Sequence, residues 1–251
     1  MFKKKLTTLL ALILSMVLLF ASGITVSAQN DAPDNGYALE TRTISVASFN
    51  HVRVGGNWDV VYVEAPSHSI RVVMPAEWFA RYNFNVVSRT LRVERNLRNR
   101  LTRWDGPARP RMYVYAPTLE SMNLSGSADA TSLSAIAGRD FALNISGSAS
   151  ANLDFDISRN LAVSATGIPE VTMSGTTHYL SINGAGVNSI HAFDLEARYA
   201  RSVVVAGVGV VEVTAVESLN VRVAGTARVY YRGNPTISSR TTGSGRLVDA
   251  N

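Results

Sequence analysis

One glycine recurs in the same short sequence context, at a nearly constant interval, through most of this chain. From Gly126 onward, successive copies are 21, 20, 19, 21, 18 and 18 residues apart. A repeat of about 20 residues is typical of a solenoid, in which each copy forms one coil stacked on its neighbours. The period therefore constrains the fold more than any other feature. The copies are Gly56, Gly126, Gly147, Gly167, Gly186, Gly207, Gly225 and Gly243.

The residues around each glycine alternate between apolar and polar. Positions four and two before the glycine, and four after it, are mostly apolar, as with Val52, Val54 and Val60 around Gly56. A period of two is typical of a β-strand with one buried face. The glycine and the residue two after it share the inward parity but are small, which predicts a tight corner between two strands.

We predict an all-β, single-domain fold: a right-handed β-helix, or β-solenoid, over residues 41–249. The right-handed sense follows from the usual chirality of parallel crossovers. A β-sandwich is the alternative, because it also contains short alternating strands. Within the domain, we predict strands at residues 70–74, 86–93 and 112–115, and a short helical turn at 76–82.

The start of the chain predicts export. Residues 1–28 have a charged start, an apolar stretch at 6–20 and a small-residue cleavage site ending at Ala28, as in a signal peptide. A retained membrane anchor is the alternative, although the apolar stretch is shorter than the ~20 residues of a spanning helix. Residues 29–40 are polar and are interpreted as a flexible leader. We expect no integral membrane segment in the mature chain.

Charge and composition exclude several classes of function. All three lysines lie in the predicted signal peptide, which leaves 21 arginines and 19 acidic residues, a net charge of +2. Such a balance does not support nucleic-acid binding. The sequence contains no cysteine, so disulfide bonds and thiol chemistry are excluded.

Positive charge is concentrated in residues 89–111, which hold eight arginines but only Glu94 and Asp105 as acids. Guanidinium groups pair with carboxylates and phosphates, and a tryptophan offers a flat face to a sugar ring. We therefore expect this stretch to bind an acidic glycan or another envelope component; a solvated basic loop is the alternative. The candidate binding residues are Arg98, Arg100, Arg103 and Trp104.

No pattern predicts a catalytic or metal site. The histidines (His51, His68, His178 and His191) are scattered, which favours hydrogen-bonded or solvated side chains over zinc ligands. Aspartates do not follow the nine-residue spacing of calcium-binding repeats, and there is no Gly-x-Ser-x-Gly elbow for a serine nucleophile. We expect no cofactor. A polysaccharide-active enzyme on a β-helix is the alternative, but it requires clustered acids, and the acids here are dispersed.

Five segments resemble the head GIN domain family of auto-transporter adhesins: FNHVRVGGNWDV (49–60), YAPTLESMNLSGS (115–127), SGS (146–148), VYYRGNP (229–235) and GSG (243–245). The resemblance covers nearly all of residues 41–249. It implies an exported β-helical protein of a Gram-negative bacterium. Three later copies depart from the Ser-Gly-Ser pattern, with Ile168, Val187 and Val208 after the glycine.

Together, these features predict an exported, non-enzymatic β-solenoid that acts in adhesion or cell-envelope interaction. Its expected location is the periplasm, the outer-membrane surface or the medium. A structural envelope protein that self-associates is a further alternative, because the strand edges at the ends of a solenoid can pair with another copy. A homo-oligomer is therefore among the expected forms.

Overall fold

The computed structural model describes residues 38–96 and 109–251. The predicted signal peptide, most of the predicted leader, and the candidate residues Arg98, Arg100, Arg103 and Trp104 lie outside these ranges. The described residues form strands almost throughout, with one short 3₁₀-helix at Ala76–Arg81. The strands are β1 (Leu39–Ser45), β2 (His51–Gly56), β3 (Asp59–Glu64), β4 (Ser69–Pro75), β5 (Tyr82–Val87), β6 (Thr90–Arg95), β7 (Arg111–Ala116), β8 (Ser121–Gly126), β9 (Asp129–Ser132), β10 (Ile136–Gly147), β11 (Ser150–Gly167), β12 (Glu170–Gly225), β13 (Arg228–Arg232), β14 (Thr236–Gly243) and β15 (Arg246–Asp249).

Successive copies of the repeat pair in parallel and form a β-solenoid. β8 lies between β2 and β10, and β10 lies between β8 and β11, with equivalent repeat positions side by side. β12 continues this winding through the corners at Gly186 and Gly207, so it is a coil of several rungs and not one straight strand. The β-solenoid prediction is therefore confirmed. The β-sandwich alternative is wrong, because sandwiches of hairpins pair their consecutive strands antiparallel.

Each rung has two main sides that meet at the glycine. The side before the glycine, here the pre-glycine face, contains β2, β8, the ends of β10 and β11, and β14. The side after it, the post-glycine face, contains β3, β9, the start of β11, β13 and β15. A third, shorter side pairs residues 136–138 with residues 155–157 and returns the chain to the next rung.

The core lies inside the coil and follows the predicted parity. The apolar residues four before the glycine, such as Val52, Met122 and Leu143, are fully buried, and so are the small residues two after it, Ala128 and Ala149. Aromatic side chains also pack in or against the core. Trp58 packs edge-on against Tyr82, and Phe141 lies against Phe155 with ring centroids 5.3 Å apart.

All eight repeat glycines have a positive φ, between 83° and 123°. A Cβ added to Gly147 would lie 2.6 Å from the carbonyl oxygen of Gly126, which is the equivalent glycine of the previous rung. That oxygen accepts a hydrogen bond of 2.8 Å from the backbone N–H of Ser148. The corner therefore requires glycine for both its backbone conformation and its close contact. Parity predicts that these glycines face inward. They are instead exposed or half-buried, because the chain turns there.

The N-terminal end of the solenoid is extended by strands outside the glycine-marked copies. β6 pairs with β2 in parallel and β5 pairs with β6 antiparallel, while β7, β4 and β1 continue the post-glycine face. The prediction of one strand over residues 86–93 is wrong. The chain instead forms a hairpin that turns at Ser88 and Arg89, with φ values of 50° and 58°. Two consecutive residues of positive φ match the right-handed twist of hairpin strands.

Replacing a corner glycine should destabilise the whole coil. We expect Gly147→Ala to lower the free energy of unfolding by about 3 kcal/mol, because it combines a left-handed backbone with a backbone clash. The matched control is Gly138→Ala, where the nearest atom to an added Cβ is the Leu119 carbonyl oxygen at 4.0 Å. We expect that change to cost less than about 0.5 kcal/mol. Equal urea midpoints for the two variants would contradict the role given to the corner.

Candidate functional site

An open depression of about 610 Å³ lies on the N-terminal half of the pre-glycine face. Its lining is mostly polar, because the odd repeat positions of β6, β2, β8, β10 and β11 point outward there. Two columns run across the strands: Asn123, Asn144 and Ser164 in one, and Ser125, Ser146 and Thr166 in the other. We call this depression the polar groove.

The groove wall is a ladder of hydrogen-bonding groups. The Asn144 side-chain amide donates to Asn123 Oδ1 at 3.0 Å, and Ser146 Oγ donates to the Leu124 carbonyl oxygen at 3.4 Å. Neighbouring strands lie about 4.8 Å apart, so an amide or hydroxyl group recurs at that interval along the solenoid axis. An extended polymer lying along the groove would meet one such group per rung.

Two arginines lie side by side at the N-terminal end of the groove. Arg53 on β2 is directly opposite Arg92 on β6 and opposite Asn123 on β8. Within the described ranges, Arg53 forms no ion pair, and the Glu94 carboxylate is 4.0 Å from Arg92. The Nε atom of Arg92 is buried and has no hydrogen-bond partner among the described residues. The pair therefore carries two positive charges beside the polar ladder, against one loosely paired carboxylate, Glu94.

Arg109, near the C-terminal end of the arginine-rich stretch, is bound at the first glycine corner. Arg109 donates to Asn57 Oδ1 at 2.5 Å, to Asp129 and to the Ser127 carbonyl oxygen, and its Nη1 lies 3.3 Å from Asp59 Oδ1. Asp59 and Asp129 are directly opposite each other on neighbouring strands. Like charges in that arrangement repel, so Arg109 acts as a clamp between them, and Arg111, 3.4 Å from Asp59, supplies the second positive charge.

A Ser–His–Glu chain of hydrogen bonds lies on the post-glycine face. Ser189 Oγ is 3.0 Å from His191 Nε2, and His191 Nδ1 is 2.9 Å from Glu212 Oε2. This is the order of a serine nucleophile, its base and an orienting acid. The backbone N–H of Ser189, however, donates to the Pro169 carbonyl oxygen at 3.2 Å and is not free to bind an oxyanion.

The described histidines include hydrogen-bonded examples, as predicted. Besides His191, His51 lies at the groove edge with its Nδ1 2.8 Å from Ser121 Oγ. Among residues 38–96 and 109–251, no group of three or more His, Asp or Glu side chains has a metal-binding arrangement. In the same ranges, no helix is long and apolar enough to cross a bilayer.

Sequence reasoning missed the arginine pair. Arg53 stands at a recognisable repeat position, three residues before Gly56, and that alignment could have singled it out. Arg92 lies in a rung without the repeat glycine, so no sequence signal aligned it with Arg53. The predicted candidates Arg98, Arg100, Arg103 and Trp104 lie between the described residues Asn96 and Arg109.

Residues 48–235 match the family model described as "Putative auto-transporter adhesin, head GIN domain". The chain belongs to the head GIN domain family. A comparison with curated proteins gives no match.

Solved structures share the fold of this head GIN domain. A "putative adhesin" from Bacteroides fragilis has a TM-score of 0.75 at 20% identity, covering 91% of this chain and 100% of that one. A "putative adhesin" from Parabacteroides distasonis has a TM-score of 0.64 at 20% identity, covering 86% of this chain and 98% of that one. A "putative lipid binding protein" from the same species has a TM-score of 0.65, with equal identity and coverage.

Removing the clamp should destabilise the first two glycine-marked rungs of the domain. We expect Arg109→Ala to lower the free energy of unfolding by about 1–2 kcal/mol, because Asp59 and Asp129 then face each other with less compensation. Adding Asp129→Asn should recover part of that loss. The control is Arg159→Ala, which removes the exposed Arg159–Asp140 pair and should lower the free energy of unfolding less than Arg109→Ala does, because solvent screens that pair. Urea unfolding measures the free energy of unfolding of all three variants. If Asp129→Asn recovered none of the stability lost in Arg109→Ala, the clamp would be contradicted.

Proposed function

We propose that this head GIN domain is an exported, non-enzymatic binding protein that attaches to an acidic glycan or another anionic component of the cell envelope. The observation that carries the proposal is the Arg53–Arg92 pair at one end of the polar ladder. Membership of a family described as auto-transporter adhesins supports a binding role and an envelope or extracellular location.

The chemistry of the groove suits an acidic polysaccharide. A carboxylate or phosphate on the polymer would pair with the two guanidinium groups, which form strong charge-assisted hydrogen bonds. The hydroxyl groups of the following sugars would then exchange hydrogen bonds with Asn123, Asn144 and Ser164. The arginine pair thus fixes the position of the polysaccharide along the groove, and the amide and hydroxyl ladder binds the neutral sugars of the polysaccharide.

The arginine-rich stretch extends this site in our proposal. Its N-terminal flank, β6, carries Arg92, and its C-terminal flank is clamped by Arg109 at the first corner. Both described flanks of the segment that contains Arg98, Arg100, Arg103 and Trp104 thus lie on or against the rungs that bear the arginine pair. We propose that these four residues contribute further contacts with the same anionic ligand.

Binding to a polyuronate tests the proposal. The protein is produced from the full chain in a Gram-negative host, where its intact mass shows whether residues 1–28 have been removed on export. We expect it to bind polygalacturonate and not neutral dextran, with an affinity that falls as salt screens the charges. Arg53→Ser with Arg92→Ser should weaken binding at least about tenfold, because each lost charged hydrogen bond contributes about 1.5–3 kcal/mol.

A charge-matched control is built into the repeat. Arg222 and Arg240 form an equivalent side-by-side pair at the same repeat position near the other end of the solenoid. Arg222→Ser with Arg240→Ser removes the same net charge outside the groove and should leave polygalacturonate binding within about twofold. Equal losses in the two double variants would show nonspecific charge attraction and refute the groove. A further loss with Arg98→Ser, Arg100→Ser and Arg103→Ser would support the extended site.

The non-enzymatic part of the proposal has its own test at Ser189. A serine activated for acyl transfer reacts with a fluorophosphonate, whereas a serine without oxyanion donors does not. We expect no labelling of the folded protein, and an unchanged affinity for polygalacturonate in Ser189→Ala. Stoichiometric labelling that disappears in both Ser189→Ala and His191→Ala would instead establish a hydrolase site on the post-glycine face.

A further inference from the structure

Three exposed apolar side chains lie in a row along the glycine corner. Ile168, Val187 and Val208 each follow a repeat glycine, and the glycines of these three rungs stack directly on one another. Their exposed fractions are 64%, 50% and 53%. We call this row the corner stripe. It runs along the edge where the pre-glycine and post-glycine faces meet.

The fold does not require apolar residues at this position. In the preceding rungs the same place is taken by Ser127 and Ser148, and in the following rung by Thr226. The corner hydrogen bond uses only the backbone N–H, and it forms equally with Ser148 at 2.8 Å and with Ile168 at 2.8 Å. Burial in the core therefore does not explain the stripe, and an exposed apolar row needs another reason.

The stripe is continued by arginines on both sides of the corner. Arg222 and Arg240 lie side by side on the pre-glycine face, and Arg228 and Arg246 lie side by side on the post-glycine face. All four are exposed, and none forms an ion pair within residues 38–96 and 109–251. Glu170, two residues after Ile168, is an acidic neighbour at the opposite end of the stripe.

We propose that the corner stripe and its four arginines dock the protein on an anionic lipid surface. The apolar row lies on a projecting edge, where its side chains can enter the boundary between headgroups and acyl chains. The arginines on either side would then pair with lipid phosphates, to which their forked donors are suited. Glu170 would stay farther from the surface, so the C-terminal rungs would approach the lipid more closely than the first stripe rung.

The shape and charge of this edge favour a lipid surface over a second copy of the chain. A standard protein interface buries about 800 Å² on each partner, and a single row of three side chains on an edge offers much less. Two copies packed edge to edge in parallel would also bring their arginines together. A lipid surface, in contrast, deforms around a narrow edge and supplies the opposite charge.

Vesicle sedimentation of the protein produced from the full chain tests this proposal. We expect binding to vesicles of phosphatidylcholine that contain about 30 mol% phosphatidylglycerol, and much weaker binding to vesicles of phosphatidylcholine alone. Ile168→Ser, Val187→Ser and Val208→Ser together should reduce partitioning at least about tenfold. These changes reproduce the local sequence at Ser148, so the fold should tolerate them. Each arginine removed from the set of four should reduce binding about fivefold.

Two controls make the result specific. Leu133→Ser removes an isolated apolar side chain that is 71% exposed, and it should not change vesicle binding. Arg53→Ser with Arg92→Ser should impair polygalacturonate binding but not vesicle binding, so the two sites fail separately. The proposal is overturned if the protein ignores anionic vesicles, if the triple variant binds them as the parent does, or if light scattering shows that the triple variant instead loses self-association.

Discussion

The contact between equivalent glycines of neighbouring rungs is the constraint on which this structure depends. At each such contact a carbonyl oxygen occupies the space that a Cβ would need, and on several rungs it accepts a hydrogen bond from the next residue. Only a residue without a side chain, in a backbone conformation of positive φ, allows both. Because the contact recurs at one place per rung, it keeps the rungs in register. Equivalent side chains of successive rungs therefore lie side by side in columns.

Because of this register, the residues that stabilise the core and the residues that form the outer surface occupy different repeat positions. Inward positions form one continuous apolar interior, while outward positions can vary freely because each contacts mainly its equivalents one rung away. Variation along a column then creates a local surface: amides and hydroxyls beside Arg53 and Arg92, and apolar side chains at Ile168, Val187 and Val208. The two surfaces carry different chemistry on one scaffold. A solenoid can thus bind a polymer along one face and dock through one of its edges without changing its core.

Much of the fold could be predicted from the sequence, and the reasons are local. The glycine interval, the alternation around it and the small residue two positions later report the path of one rung, which depends on neighbours close in the chain. The hairpin at Ser88–Arg89 was missed because neither turn residue is Gly, Asn or Asp. The Ser189–His191–Glu212 chain was missed because Glu212 joins the other two only through pairing between rungs.

The sequence by itself determined the repeat, the corner glycines and which side chains face inward, because these follow from strand geometry within about 20 residues. Only the tertiary structure decided which distant residues share a column. Arg92 is 39 residues from Arg53, yet it lies beside it, because the extra rung formed by β6 and β7 stacks before the first repeat and not after it. The order in which rungs stack is set by pairing and packing across the whole coil. Side-chain neighbours, and with them the candidate sites, follow from that order.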